Sequence, residues 1–325
     1  MQPLTLQDLE SPADPFDEAV GQAEHVDRFC SSTSWVLPAH EAIMPKREPW
    51  IRRSEHGWAV MAKGFDATVG HYIQPLEAAW NFATGLVGPA PGKLIHDLRD
   101  DLRQTVTPWN LLLFSGIAPR SPYHEALLRA FGPLYRVGFG SPTIRHRAGL
   151  NGGLDGFLSR RTRKFRANLR RVQRRAAESG IVLERHASPT IDAVEALYAR
   201  VLAIETQSWK GREGSGIVDG SMREFYRLML PRLAARGALR LTFAQRDGQD
   251  VAFIVGGVLN RVYRGLQISY DHRLAGLSLG NLLQAATVAD MCEESVLTYD
   301  LGCEMDYKAA WADDDMITIT IAIFR

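Results

Sequence analysis

Between Tyr299 and Trp311 the chain reads YDLGCEMDYKAAW. An apolar run ends in Asp300, turns at Gly302, and delivers Tyr307, Lys308 and Trp311 within one possible helical turn. An acid, a phenol and a cation grouped after a buried strand can move protons and stabilise a developing anion. Asp300 stands at the carboxyl end of this run, where open α/β sheets present a crevice to ligands. Simpler explanations stand beside these. Asp300 can cap the following turn, Tyr307 and Lys308 can be an ordinary exposed helix start, and Trp311 and Trp209 can be packing residues.

Two further stretches carry charge chemistry. The loop DHRLAGLSLGNLL (271–283) falls between a strand and a helix. Backbone amides at a helix start are unpaired and partly positive, so a diphosphate binds well there. Gly276 and Gly280 allow close backbone approach, Ser278 and Asn281 lie at the helix start, and Arg273 can add a charge-assisted contact. Taken alone, such a loop is more often a turn that merely needs glycine. The second stretch is basic: nine of the sixteen residues from Arg160 to Arg175 are Arg or Lys. Like charges at i, i+4 repel by a few tenths of a kcal/mol per pair, and an anionic partner would relieve them. Arg163, Lys164, Arg170 and Arg174 are the candidate anion ligands. Phosphates of a cofactor, a phosphorylated or nucleotide-linked acceptor, anionic lipid or tRNA all fit. Few aromatics interleave, so base stacking is not signalled.

The elements that must position these groups are legible mainly in the second half. Residues 159–180 have helical spacing through Leu158, Phe165, Leu169, Val172 and Ala176, and stop at Gly180. A strand at 181–186 precedes helices at about 192–209 and 221–237, with Asp192/Glu195 and Ser221/Glu224 placed as capping boxes. Pro231 argues against continuity of the second. Three strands then run as a meander over 239–246, 251–259 and 262–270, followed by the loop, a helix from Asn281 to about Glu294, the strand VLTYDLG, and an alternating strand with Ile317, Ile319, Ile321 and Ile323 on one face. In the first half, 57–64 and 109–117 read as strands and 89–104 and 123–132 as helices. Gly- and Pro-rich text over 138–156 reads as a separator. Strand, APGKL, helix and WNLLLFSG in the first half echo strand, SLGNL, helix and VLTYDLG in the second, which suggests a duplication.

A diphosphate loop after the third strand of a meander, opening a helix that leads to another strand, resembles the acyl-CoA site of the GNAT acyltransferase superfamily. Arg273-Leu274-Ala275-Gly276-Leu277-Ser278 follows that family's Gln/Arg-x-x-Gly-x-Gly/Ala pattern until its last place, where Ser278 stands. The ending SLG is similar to the CelD-like acetyltransferase branch, as are ETQSWKG (205–211) and YDLGCEMDYKAAW. That branch is related to Fem-type aminoacyl transferases, which carry tandem GNAT domains and an aromatic-Lys-x-x-aromatic segment of the form Tyr307-Lys308-Ala309-Ala310-Trp311. The resemblance spans about residues 155–325. It implies an α/β fold with a GNAT-like mixed twisted sheet flanked by helices, in two tandem GNAT-like domains. Residues 1–50 would be a lead-in, 51–150 a degenerate N-terminal GNAT-like domain, and 151–325 the C-terminal acyltransferase domain.

The same resemblance implies transfer of an acyl group, most simply acetyl, from acyl-CoA to an amine by direct attack on the thioester. A tyrosine of reference pKa about 10 is matched to protonate a leaving thiolate of about 8.5, which is the part implied for Tyr307. Lys308 would offer its charge to the oxyanion, and Asp300 or Glu205 would orient or deprotonate the amine. Trp209, Lys210, Tyr270 and Asp271 would line the acceptor side, while Arg273, Gly276, Ser278, Gly280 and Asn281 would hold the cofactor. One alternative is a Fem-like transferase drawing on aminoacyl-tRNA docked at the basic helix. Another, of a different class, is a non-catalytic module that binds polyanions through that helix.

Bulk properties fit a globular protein of two ordinary domains: 325 residues, 46% hydrophobic, 23% charged. At a net charge of +1, any nucleic-acid contact must come from a local patch. Three cysteines without metal or redox spacing suit a reducing cytoplasm, and no metal site is expected. The acidic start lacks the apolar core of a secretory signal, and no stretch has the length of a membrane span. The expected partner is a small-molecule or polymer-linked amine.

Overall fold

The computed structural model describes residues 1–11, 15–104, 108–214 and 216–325; three residues of the expected lead-in, 12–14, lie outside it. Elements follow in chain order. The first half holds β1 (Gln2–Leu4), α1 (Leu6–Leu9), α2 (Pro15–Gln22), α3 (Thr33–Ile43), β2 (Glu48–Ser54), β3 (Gly57–Asp66), β4 (Gly70–Pro75), β5 (Leu86–Val87), α4 (Pro91–Gln104), β6 (Leu111–Ile117), α5 (Pro122–Phe131) and β7 (Arg136–Phe139). Then come β8 (Thr143–Gly149), α6 (Gly153–Ser159), α7 (Arg163–Glu178), β9 (Ile181–Ala187), α8 (Ile191–Gln207), α9 (Trp209–Arg212), α10 (Gly220–Ala235), β10 (Leu239–Arg246), β11 (Gln249–Leu259) and β12 (Val262–Tyr270). A 3-10 turn over His272–Leu277 leads into α11 (Leu279–Glu293), β13 (Thr298–Cys303), α12 (Asp306–Ala309) and β14 (Asp314–Phe324).

The chain divides into two compact units, 1–144 with 317–325, and 145–316. This partition differs from one at 50 and 150 in two ways. The first fifty residues are part of the first unit, where α3 is buried from Thr33 to His40. The last strand also belongs there, because Ile319–Phe324 pairs antiparallel with β6 and β7.

Each unit is a mixed sheet flanked by helices, and the two repeat one strand pattern. In the first, β1, β2, β3 and β4 pair antiparallel in succession and β4 pairs parallel with β6 across the α4 crossover. In the second, β9, β10, β11 and β12 pair antiparallel and β12 pairs parallel with β13 across α11. The first core packs Leu94, Ile95, Leu98 and Leu102 of α4 against Ile73, Leu112 and Phe114. Near α11, Leu279, Leu282 and Leu283 meet Val172 and Ala176 of α7 and Ala252 and Ile254 of β11.

Local details depart from the sequence reading where side-chain hydrogen bonds decide. The basic segment lies on one helix, α7, apart from Arg160 and Arg161, which fall between α6 and α7 because the Thr162 hydroxyl accepts from the Phe165 amide and starts α7 afresh. Similarly, α8 ends at Gln207 and Ser208 caps the separate turn α9. The expected capping boxes at Asp192 and Ser221 do not form, since α8 and α10 start earlier, after Thr190 and Asp219. α10 runs through Pro231. The separator read at 138–156 contains the boundary between the units, after Ile144, but is not plain linker, since it also holds β8 and much of α6.

Candidate active site

β12 and β13 run parallel but pair over three residues only, Val262 with Thr298, Tyr263 with Tyr299 and Arg264 with Asp300. Both strands are irregular just beyond the last pair. On β12, Gly265 faces Gly256 and Gln267 faces Val255, so Leu266 is an extra residue; on β13, Leu301 is extra against β8. A bulge bends its strand and sharpens its twist, so two bulges at one level part the strands. Carbonyl groups on the freed stretch of β12 find side-chain donors. The Tyr226 hydroxyl donates to the Leu266 carbonyl at 3.1 Å and Lys210 Nζ to the Ile268 carbonyl at 2.8 Å.

Asp300 sits at the parting, in mid-strand and 4% exposed, rather than open at the strand's end. One carboxylate oxygen accepts from Arg264 Nη1 at 2.5 Å and from the Gly302 amide at 2.8 Å; the other is 3.3 Å from Arg145 Nη1. Both arginines are buried. Fully engaged, this carboxylate holds arginine side chains in place and is unsuited to taking a proton from a substrate.

Lys308 lies beside this group. Its Nζ donates to the Cys303 carbonyl at 2.9 Å, and burial, with the Arg264 charge next, lowers its pKa to about 8. Asp300 and Cys303 oppose that shift, and Lys210 adds to it. Gly302 makes the approach possible. Its φ is +86°, and a Cβ there would sit 3.3 Å from Lys308 Nζ and 3.9 Å from Arg264 Nη2. Tyr307 is half exposed, and surrounding protein raises its phenol above the ordinary value. Trp311 is buried against Phe157 and Phe165, as a packing residue.

Glu205 and Lys210 are joined through Gln267. The Gln267 amide donates to Glu205 Oε1 at 2.9 Å, and Lys210 Nζ donates to Gln267 Oε1 at 3.2 Å. Ser208 donates to Glu205 Oε2 at 3.4 Å, and Gly216 lies so near that a Cβ would come within 2.6 Å of Oε1. Glu205 is wholly buried, so it too acts through its neighbours. Burial lowers the Lys210 pKa, partly opposed by Glu205. Trp209, next to Lys210, is 48% exposed.

At the far end of β12, the amides of Leu279, Gly280 and Asn281 precede the first intrahelical bond of α11, from Leu282 N to Ser278 O. Ser278 takes the left-handed conformation that turns the chain into the helix, so the glycines are not needed for that purpose. They leave room instead: a Cβ on Gly276 meets nothing within 4 Å, and on Gly280 nothing nearer than the Tyr270 ring at 3.7 Å. Arg273 is folded onto Asp271, which accepts from its backbone and guanidinium and is held below the usual carboxylate range by that pairing. Arg163, Lys164, Arg170 and Arg174 are exposed on α7.

The structure thus brings Asp300, Lys308, Tyr307, Lys210 and Glu205 into one neighbourhood, with the loop from Asp271 to Asn281 following the carboxyl end of β12. Sequence reasoning missed Arg145, Arg264, Gln267 and Tyr226. A signal existed for two of them, since Arg264 and Gln267 place a cation and an amide inside the third strand of the meander. Among the described residues, no group of three or more His, Cys, Asp or Glu side chains could hold a metal ion, and no helix is long and apolar enough to cross a membrane.

Residues 163–309 match the acetyltransferase (GNAT) domain family. No curated protein sequence matches the chain. Among solved structures, FemX is similar with a TM-score of 0.65 at 10% identity, over 100% of this chain and 98% of that one. The C-terminal domain of a putative lysylphosphatidylglycerol synthetase from Agrobacterium fabrum aligns with a TM-score of 0.56 at 13% identity, over 89% and 90%. L-PGS from Bacillus licheniformis gives 0.54 at 13% identity, over 88% and 90%. At these identities the likeness is one of fold.

Proposed function

We propose that this chain, whose residues 163–309 match the acetyltransferase (GNAT) domain family, moves an acyl group from acyl-CoA to an amine at the parting of β12 and β13. The observation that carries the reading is the pair of bulges that separates these strands beside Lys308 and Lys210, midway along β12, whose carboxyl end leads through the 272–277 turn into the open first turn of α11. The diphosphate would rest on the amides of Leu279, Gly280 and Asn281, and the thioester would lie between the strands.

In this reading the amine enters as its free base. A nitrogen–carbon bond forms at the thioester carbonyl, and charge passes to its oxygen beside the Lys308 ammonium and the Arg264 guanidinium. The carbon–sulfur bond then breaks. The departing thiolate takes the Tyr307 proton, which its raised pKa keeps on the phenol at working pH. The nitrogen loses its extra proton to water, from which Tyr307 is reprotonated. Asp300 positions Arg264, and Glu205 positions Gln267 and Lys210. The exposed Trp209 and Tyr307 would face the acceptor. Such a reaction belongs in the cytoplasm, where acyl-CoA is made.

Calorimetric titration with acetyl-CoA tests the donor. The wild type should bind in the micromolar range. Gly280→Glu, for whose Cβ there is space, places a carboxylate at the helix start and should weaken binding by about tenfold or more. A wild type that binds neither acetyl-CoA nor longer acyl-CoA sinks the reading, and aminoacyl-tRNA becomes the next donor to try.

A further inference from the structure

The cations of α7 fall on two stripes. Arg163, Arg170 and Arg174 recur at i, i+7 and i+11, and so do Lys164, Arg171 and Arg175, one residue further on. With roughly 100° between successive residues, the first stripe lies opposite the buried Leu169, Val172 and Ala176. It points straight to solvent. The second stripe lies on a flank, and its last member shows which one: Arg175 Nη1 donates to the Gly276 carbonyl at 2.6 Å, in the loop that opens α11. Arg171, one turn earlier, is exposed beside it and is steadied by the Asn168 side chain at 2.7 Å.

Packing fixes this arrangement. Val172 and Ala176 sit against Leu279, Leu282 and Leu283 at the start of α11, while Leu169 meets Ala285, Val288 and Met291 further along it. α7 therefore runs antiparallel to α11, with its C-terminal half beside the helix start.

We infer that the flank stripe, Arg171 and Arg175 above all, binds the phosphate monoester on the ribose of coenzyme A. The inference rests on the acyl-CoA reading above and adds a recognition element to it. In coenzyme A that phosphate is carried by the same ribose as the diphosphate, so a diphosphate on the α11 amides would bring it to the neighbourhood of the loop that Arg175 touches. Side chains one turn apart on a helix are about 6 Å apart at their Cβ atoms, a spacing that lets two guanidiniums close on one phosphate. Phosphate bound by a pair of guanidiniums gains charge-assisted, geometrically fixed hydrogen bonds, and it relieves the mutual repulsion of the stripe. The outer stripe faces away and takes no part, which supplies an internal control of like charge.

The test compares coenzyme A with its 3′-dephospho form by calorimetry on the full chain at one ionic strength. The wild type should prefer coenzyme A by about tenfold or more. Arg171→Gln/Arg175→Gln should bind both forms with nearly equal affinity, close to that of the wild type for the dephospho form. Arg171→Gln alone leaves the Gly276 contact intact and should lose most of the preference, which separates recognition from damage to the loop. Arg163→Gln/Arg170→Gln/Arg174→Gln should keep the full preference. A wild type that binds both forms equally overturns this inference and leaves the donor reading standing. Preference retained in the flank variants, or lost in the outer-stripe variant, overturns it as well. A wild type that binds neither form overturns the donor reading, and this inference with it.

Discussion

Lys308 owes its chemistry to its surroundings. A lysine in water titrates at about 10.4, whereas burial and the Arg264 charge bring this one to about 8. It is therefore mostly charged at neutral pH and loses that charge as the pH rises through 8. Acyl transfer that depends on the ammonium should fall along a basic limb near pH 8, and Arg264→Gln, which removes a neighbouring cation, should move that limb upward; a pH profile of kcat in both proteins measures it. The linkage to stability follows from the direction of the shift, as it does for any group whose pKa is lowered by folding. Between the folded pKa and the unfolded value the unfolded chain binds more protons at this site, so the lysine's penalty on folding shrinks as the pH rises across that window. Lys308→Ala should lower turnover by roughly 10²–10³ with acetyl-CoA affinity unchanged, the usual cost of losing one donor to an oxyanion. Asp300→Asn should act differently. It removes the charge between two buried arginines and should destabilise the fold by about 3–5 kcal/mol, read from urea unfolding. Unchanged stability in that variant would argue that Asp300 is not the positioning group assigned here.

The elements show why part of the site could be read in the sequence and part could not. Periodicity located the meander, the helix after the loop and the strand VLTYDLG, because burial imposes a regular pattern on each. The loop from Asp271 to Asn281 was legible for the same reason, as an interruption between two patterns. Bulges at Leu266 and Leu301 were not, since an extra residue is defined by its partner strand, and pairing is a tertiary fact. The surroundings of Asp300 and Glu205 were hidden on the same account: their partners Arg145, Arg264 and Gln267 are 36 to 155 residues away from them in sequence. Gly302 joins the two levels. Its positive φ marks a strained place for any other residue, and its missing Cβ admits Lys308. Gly302→Ala should cost about 1–3 kcal/mol of stability and displace the ammonium. Thermal unfolding and turnover should therefore both decline, and turnover unaffected at a temperature where the variant is folded would count against the placement of Lys308.

At the scale of the whole molecule, the repeated strand pattern explains the faint internal echo between WNLLLFSG and VLTYDLG, which occupy β6 and β13, the parallel strands that follow α4 and α11. The sequence echo is weak because only the second unit carries the clustered acid, phenol and cations, whereas the first keeps the apolar pattern that its sheet requires. Chain order does not respect the division. The last strand is made after the second unit is complete, yet it pairs within the first, alongside Leu111–Ile117 of β6. A chain ending at Met316 keeps every residue of the second unit and strips the first of a strand, leaving an apolar edge of the kind that promotes association. Hydrogen exchange should then lose protection over β3 and β6 while β11 and β12 keep theirs. Equal protection of β6 in both chains would mean that the first unit closes without its last strand, and that the division between units follows the chain after all.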